Sequence, residues 1–401
     1  MSGAKHSNEH TLAPRWVGRV RVLDALRLHG PTARVDIALI TGMSPATVTA
    51  VTAELLSAGL IRAEHHSEKP EHSKRGRPRA KLEINPASAV VAGMKVGAQS
   101  ITVLLTDFTG QEIGHSEHAL EQRQFSPDDL RAQIITALKS ACHQNQVPVH
   151  ALSATVIGLA GYVDGAAGFV HWSSSLTKRS VGFASFLSEV MPCPVFIEND
   201  VNLVAKAEHL FGLGKGLESF LVATVEHGIG LGVVMNGVLH RGARGCGAEF
   251  GHTKITADGP LCQCGQRGCL EAYAGEYAVV TAANRAANEE AFGDFAAVLA
   301  AARQGNKAAT DAISAAQRSF AIGLANLVNL FDPQEIIVAS QIGAAHPLCA
   351  SEVFAQVNTM IVQLEAPSPR LRAHGWDDLM WARGAAAQAL EEVAILRTKA
   401  L

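Results

Sequence analysis

Three consecutive stretches decide the fold. They are Val225-Glu226-His227-Gly228-Ile229-Gly230-Leu231-Gly232-Val233-Val234, then Ala248-Glu249-Phe250-Gly251-His252, then Cys262-Gln263-Cys264-Gly265-Gln266-Arg267-Gly268-Cys269-Leu270-Glu271. The β-rich runs on either side of Glu226-His227-Gly228, residues 220–225 and 229–235, predict two strands. The third stretch crowds Cys262, Cys264 and Cys269 into eight residues, and Gly265 and Gly268 permit a backbone tight enough to bring the thiols together. His252, ten residues before Cys262, completes a Cys₃His set. Four protein ligands leave no position for water, which is the signature of structural Zn²⁺. A redox use competes with this reading, but the spacing is not the Cys-x-x-Cys of thiol–disulfide exchange. Glu249 and Glu271 flank the staple, so it draws two carboxylates and an imidazole into one neighbourhood. An imidazole can bind metal through one nitrogen and a ligand through the other. The plainer alternative is that both carboxylates are ordinary surface charges.

Working outward, further β-rich runs occupy residues 90–95, 100–107, 154–159, 195–197 and 335–339. A predominantly helical stretch covers about 270–330, and a terminal helix about 381–398. Strands alternating with helices predict an α/β body. No short-period repeat is visible, and two similar lobes are compatible with the pattern.

The first 85 residues read differently. Residues 1–14 are polar and predict a disordered end. Apolar residues at helical spacing predict a helix over 15–28, stopped by Gly30-Pro31. A second short helix is expected over 32–40, a tight turn at Thr41-Gly42-Met43, and a third helix capped by Ser44 with Pro45 at its first position and Gly59 as its stop. This spacing is a helix-turn-helix, whose second helix enters the major groove with its N-terminal residues toward the bases. Ser44, Ala46, Thr47, Thr49 and Ala50 are the outward candidates. Their hydroxyls and methyls suit phosphates and thymine methyl groups. Two strands flanking a basic loop make a wing, and its Arg75-Gly76-Arg77-Pro78-Arg79 suits a narrow, electronegative minor groove. Otherwise it is a solvated basic loop. Asn85-Pro86 marks the domain boundary.

Charge agrees with this division. Residues 1–85 carry 13 Lys/Arg against 8 Asp/Glu, a net of +5; with the whole chain at −3, the remainder carries −8. A basic head on an acidic body suggests that the head meets a polyanion. The seven cysteines, three clustered and the rest scattered, fit a metal site and buried thiols rather than a disulfide framework. No run of about eighteen apolar residues predicts a membrane span, and no apolar signal core precedes the head. A cytoplasmic protein is the expectation.

Several segments together resemble the ROK family, which unites sugar-responsive repressors with sugar kinases. They are the glycine stretch from Val225 through Gly242 to His252, Gly158-Leu159-Ala160-Gly161-Tyr162-Val163-Asp164, Glu198-Asn199-Asp200-Val201-Asn202, and Cys262 to Glu271. The resemblance spans about residues 88–400, and the head resembles that of the repressor branch. It implies an actin-like, two-lobed sugar-kinase (ribonuclease H-like) fold preceded by a winged helix-turn-helix. The expected divisions are a disordered 1–14, a DNA-binding 15–85, a small lobe 86–200 joined by the helix 381–401, and a large lobe 201–380 with the zinc site. The resemblance also implies a sugar held by Gly161, Asn199, Asp200, Glu249, His252 and Glu271, with Asp200 matching the general base of kinase members. Structural zinc would sit on His252, Cys262, Cys264 and Cys269. Double-stranded operator DNA and a homodimer or homotetramer are the expected partners.

The nucleotide motifs depart from the kinase pattern. The expected Asp-x-Gly-Gly-Thr is Lys95-Val96-Gly97-Ala98-Gln99, Gly-Thr-Gly is Glu226-His227-Gly228, and the late Gly-Gly is Ser340-Gln341. Phosphoryl transfer rests on positioning and charge neutralisation around the γ-phosphate, so these changes imply sugar sensing without catalysis. The alternative is an ATP-dependent sugar kinase with an appended DNA-binding domain. A further alternative is a phosphosugar or nucleotide met by Lys95 as a point charge. A run expected as Pro-Asn-Leu-x-Trp is Ser174-Ser175-Leu176-Thr177-Lys178, which leaves the sugar open.

Overall fold

The computed structural model describes residues 15–64, 80–288, 291–377 and 379–401. Residues 1–14 and the loop that bears Arg75, Arg77 and Arg79 lie outside these.

The head comprises α1 (Arg15–His29), β1 (Thr32–Ala33), α2 (Arg34–Thr41), α3 (Pro45–Ser57), β2 (Ile61–Ala63) and β3 (Lys81–Ile84). Its strands lie in the order β1-β3-β2. One expectation needs correcting: the second helix begins at Arg34, not Thr32. Thr32 and Ala33 pair with Leu82 and Lys81, because two buried residues ahead of the helix can complete the edge of β3. Gly42 turns the chain in the left-handed region, and α2 and α3 cross at 113°, within the range of a helix-turn-helix. The Ser44 side chain accepts a hydrogen bond from the Thr47 N–H, with Pro45 in the first turn.

The body repeats one sheet design twice. In the first lobe β4 (Val90–Val96), β5 (Ser100–Asp107) and β6 (Glu112–Ala119) form an antiparallel meander. On the other side of β4 lie parallel β7 (Leu152–Leu159) and β10 (Val195–Asn199). Between these two, β8 (Gly161–Asp164) and β9 (Phe169–Ser173) form a hairpin. In the second lobe β11 (Phe220–Val225), β12 (Ile229–Met235) and β13 (Val238–Leu239) form the meander, and β14 (Glu335–Ser340) and β15 (Arg370–Gly375) are parallel. Numbering strands within each lobe, both sheets read 3-2-1-4-5. This is the actin-like, ribonuclease H-like architecture, and the duplication is a matter of topology that composition does not reveal. Sequence periodicity passes over β6 because, as an edge strand, most of its residues face solvent and are polar.

Helices α4 (Pro127–Gln144) and α5 (Phe183–Ser188) cover the outer face of the first sheet. The second sheet is covered by α7 (Glu271–Ala274), α8 (Glu276–Ala287), α9 (Phe295–Arg303), α10 (Lys307–Phe331) and α11 (Ser351–Met360). Between the lobes run α6 (Asp200–Phe211) and the C-terminal α12 (Met380–Lys399), packed on one another, α12 also on β4 and α6 on β12. The head is fixed to this axis. Val22, Leu23 and Leu26 of α1 share one apolar cluster with Phe108, Leu390, Val393 and Ala394. Arg19, buried, donates from Nη1 to the Thr398 carbonyl at 2.9 Å. Among the described residues no single helix is long and apolar enough to cross a membrane.

Candidate functional site

The cysteine turn closes as the spacing demands. Nδ1 of His252 and Sγ of Cys262, Cys264 and Cys269 all lie within 4.8 Å of one another. The Cys264–Cys269 sulfurs are 3.7 Å apart, and Cys262 Sγ is 3.6 Å from His252 Nδ1. A tetrahedron with Zn–S bonds of about 2.3 Å has edges of about 3.8 Å, so the donors stand where a zinc ion needs them. The donor chemistry fits as well. Burial pushes the Cys262 thiol up to about 12, so a thiolate there needs a cation beside it. Lys254 Nζ already donates to Cys269 Sγ at 3.0 Å. Gly268 has no replacement: its φ is +72°, and a Cβ would lie 1.6 Å from the Thr256 carbonyl oxygen.

The staple carries Glu271 back to the first strands of the second lobe. Its Oε2 accepts the Ile229 N–H at 3.3 Å, and its Oε1 accepts from Tyr277 OH at 3.4 Å. Glu249 lies on the same side, with Oε2 4.0 Å from His252 Nε2. Burial, reinforced by the charges of Glu271 and Asp200, raises its carboxyl to about 7. The three carboxylates that the sequence singled out therefore feel one another across the interlobe cleft.

A cavity of about 40 Å³ opens there, lined by residues that include Gly161, Asn199, Gly230, Gly247 and Glu249. Of the expected sugar contacts, Gly161, Asn199 and Glu249 line this cavity, whereas Asp200, His252 and Glu271 do not. The Asn199 amide is committed: Nδ2 donates to the Gly161 carbonyl at 2.9 Å, and Oδ1 caps α6 by accepting from Val201 and Asn202 N–H. Gly161 is required, since its φ is +130° and a Cβ would sit 2.2 Å from the Trp172 carbonyl oxygen.

Two participants escaped sequence reasoning. The Tyr162 ring lies 6.4 Å from His252 and 5.7 Å from Trp172, and its position directly after Gly161 was the available signal. Arg241 Nε donates at 2.6 Å to Glu198, which is fully buried and also accepts from Asn202 Nδ2 at 2.9 Å. Only folding brings Arg241 there, so no local signal could have found it. Glu198, within the Glu-Asn-Asp-x-Asn motif, thus braces the loop, while Asn202, which donates to it, also lines the cavity.

At the segments compared above with nucleotide motifs, side chains pair with other parts of the chain. Lys95 Nζ lies 2.8 Å from Asp200 Oδ2 and 4.4 Å from the centroid of Trp381. Glu226 Oε1 accepts the Gln341 backbone N–H at 2.7 Å, so a carboxylate occupies an amide at the altered late strand. Burial raises Glu226 to about 7. Its folded value thus exceeds its unfolded value of 4.5. The folded chain then holds a proton that the unfolded chain has released, and stability from this group falls as pH rises between them. Glu226→Gln is expected to be more stable than wild type at pH 8, by about 1–2 kcal/mol after allowance for partial exposure, and to melt at a correspondingly higher temperature. The gain should vanish near pH 5, and a pH-independent difference would refute the assignment.

On the head, Ser44, Ala46, Thr47, Thr49 and Ala50 are all exposed on one end of α3. Ser44 and Thr47 hydroxyls lie 2.8 Å apart, and Thr49 Oγ1 donates to the Pro45 carbonyl. Each hydroxyl keeps a lone pair for a base amino group, and the accepting member of the Ser44–Thr47 pair keeps its O–H to donate to a phosphate.

Comparison with known proteins gives a consistent picture. The ROK family model matches residues 91–392. A xylose repressor of Bacillus spizizenii is 28% identical over 345 residues, covering 86% of this chain and 87% of that protein. The DNA-binding transcriptional dual regulator NagC of Escherichia coli is 26% identical over 342 residues, covering 84% and 83%. Among solved structures, a ROK transcriptional regulator homologous to E. coli Mlc superposes with a TM-score of 0.78, covering 96% of this chain and 98% of that one at 24% identity. A ROK glucokinase from Streptomyces griseus, in complex with glucose and AMPPNP, superposes with a TM-score of 0.64 at 27% identity, covering 75% of this chain and 99% of its own. The kinase thus matches the body, and the regulator matches head and body together.

Proposed function

This chain belongs to the ROK family, and from that premise we propose that it is a sugar-responsive DNA-binding repressor that performs no phosphoryl transfer. The observation that carries the reading is the Lys95–Asp200 pair at 2.8 Å. A kinase needs Asp200 free to take a proton from the attacking hydroxyl, and a carboxylate where Lys95 stands to organise the nucleotide's metal. Here the Lys95 ammonium group pairs with Asp200 and occupies that space. Glu226 on the Gln341 amide supports the same reading from the opposite side.

The sugar would be gripped by Gly161, Asn199, Asp200, Glu249, His252 and Glu271, Asn199 through the second N–H of its amide. Carboxylates accept paired hydroxyl hydrogen bonds, which suits a polyol. His252, Cys262, Cys264 and Cys269 would hold structural Zn²⁺, which fixes Glu249 and Glu271 in register. Ser44, Ala46, Thr47 and Thr49 would enter the major groove of double-stranded operator DNA, and Arg75, Arg77 and Arg79 the minor groove. Exposed Leu330, Val362 and Leu364, near the ends of α10 and α11, form an apolar patch that a second copy would cover in a homodimer or homotetramer. Because α1 is docked on α12, between the lobes, a change in lobe closure would re-aim the heads. The change in DNA affinity can be no larger than the sugar's differential affinity for the two states.

The test is a thermal-shift screen of pentoses, hexoses, amino sugars and their phosphates, with and without Mg-ATP, paired with operator binding at several salt concentrations. The expected result is stabilisation by a sugar, a salt-dependent DNA affinity that the sugar shifts, and no ATP turnover. Steady sugar-stimulated ATP consumption by pure protein would establish the kinase instead. Arg77→Ala should weaken operator binding about fivefold to tenfold with the sugar response intact; undiminished affinity would remove the wing from the interface.

A further inference from the structure

A second cavity, of about 300 Å³, lies away from the sugar cleft, lined by Leu104, Thr106, Gly110, Glu112, Phe211, Trp376 and Arg383. Its walls come from the β5–β6 hairpin, the end of α6, the segment after β15 and the first turns of α12, so both lobes contribute. This is the size range of small-molecule sites.

Two features mark it as built rather than accidental. Thr106 is 1% exposed, and its hydroxyl has no hydrogen-bond partner. A buried hydroxyl is normally satisfied, and this one borders the cavity. Thr106 is also the direct cross-strand partner of Glu112, so the hydroxyl and the carboxylate share one face of the hairpin. The aromatic walls are held in place. Trp376 Nε1 donates at 2.8 Å to Glu208, a fully buried carboxylate that also accepts from His374 Nδ1 and the Leu213 N–H at 2.7 Å each. Phe211 packs against Gly110, whose φ is +93° and where a Cβ would meet the ring at 3.0 Å.

The charges choose the ligand. Arg383 is engaged by both carboxylate oxygens of Asp377 at 2.8 Å, and its Nη2 stands 3.9 Å from Glu112 Oε2, too far for a hydrogen bond. Glu112 Oε1 is engaged by His115 Nδ1 at 2.7 Å, while Oε2 accepts no hydrogen bond and meets the Arg383 guanidinium only as a 3.9 Å ion pair. An acceptor carboxylate, an unpartnered hydroxyl and two aromatic rings are the surroundings that favour an organic ammonium group.

We propose that this cavity is a second ligand site, taking a small organic amine whose ammonium group donates to Thr106 Oγ1 and Glu112 Oε2 while its apolar part lies between Trp376 and Phe211. The site is independent of the sugar-binding reading, since it shares no residue with the cleft.

Three probes of equal size separate the chemistry: 2-phenylethylamine, 2-phenylethanol and phenylacetate. Binding to the full chain is followed by saturation-transfer NMR and titration calorimetry. The amine is expected to bind at least tenfold more tightly than the alcohol, and phenylacetate not measurably. Glu112→Gln should erase the preference for amine over alcohol, and Phe211→Ala should weaken both. Glu249→Gln, in the sugar cleft, should leave amine binding unchanged. Equal binding of all three probes, absence of amine binding, or an amine preference that survives Glu112→Gln but is lost in Glu249→Gln would overturn the proposal. Melting temperatures of the variants establish that each is folded before its binding is read.

Discussion

Replacing Cys269 by Ser is expected to abolish stoichiometric zinc and to lower the melting temperature on the order of 10 °C. Loss of a structural metal belongs to the few single changes that cost about 4 kcal/mol or more. Cys269 is fully buried, and a serine hydroxyl in its place cannot supply the thiolate that a buried dication requires. The consequence reaches the cleft. Without the ion, the Cys262–Cys269 turn keeps only its backbone bonds to the segment after His252, Ile255 N–H to the Gly268 carbonyl and Leu270 N–H to the Thr253 carbonyl at 2.8 Å each, and Glu271, two residues further on, is held less firmly in the register that brings it to the Ile229 N–H. The sugar-induced thermal shift should therefore disappear along with the metal. Cys264 is exposed, so Cys264→Ser should lose zinc with a smaller thermal penalty. Metal analysis and calorimetry of the purified variants check both statements. A Cys269→Ser protein with one full zinc equivalent and an unchanged melting temperature would remove the ion from this site.

Gly384→Val is expected to be at least as damaging, by about 3 kcal/mol or more, and to leave little soluble protein. A Cβ at Gly384 would stand 1.9 Å from the Leu203 carbonyl oxygen, so α6 and α12 would have to separate. The obstacle is backbone, which cannot rotate away as a side chain can. On its other side α12 meets β4 just as closely: a Cβ at Gly93 would lie 2.2 Å from the Ala382 carbonyl oxygen. The helix cannot shift toward the sheet to make room. Because Arg19 and the apolar face of α1 rest on the same helix, the head would loosen too. Limited proteolysis should then cut between head and body sooner than in wild type. A Gly384→Val protein with wild-type melting and proteolysis would mean that the α6–α12 contact is looser than described.

The two cases differ in how far local sequence announces them. The Cys₃His cluster can be read directly, because metal ligation needs particular atoms at short spacing and the chain places three of the four candidate ligands within eight residues. The head is nearly as plain. Ser44-Pro45 and the glycines at 42 and 59 state their helix limits through backbone preferences that act locally, and only the short β1, which exists solely by pairing with β3, escaped. The α/β character of the body follows from the alternation of apolar runs. Gly384, by contrast, sits unremarked among alanines, and nothing near it in the chain says that its missing side chain sets the distance to α6.

What the sequence determined alone was therefore whatever depends on neighbours along the chain: helix starts and stops, the clustered thiols and the basic head. Tertiary structure decided what those groups do. It set Lys95 against Asp200 across 105 positions, seated Glu226 on the Gln341 amide, turned the Asn199 amide inward to its own loop, and stacked two sheets of identical order. These are pairings between distant residues. Their free energy comes from desolvation and close approach, which exist only after the chain has brought the partners together.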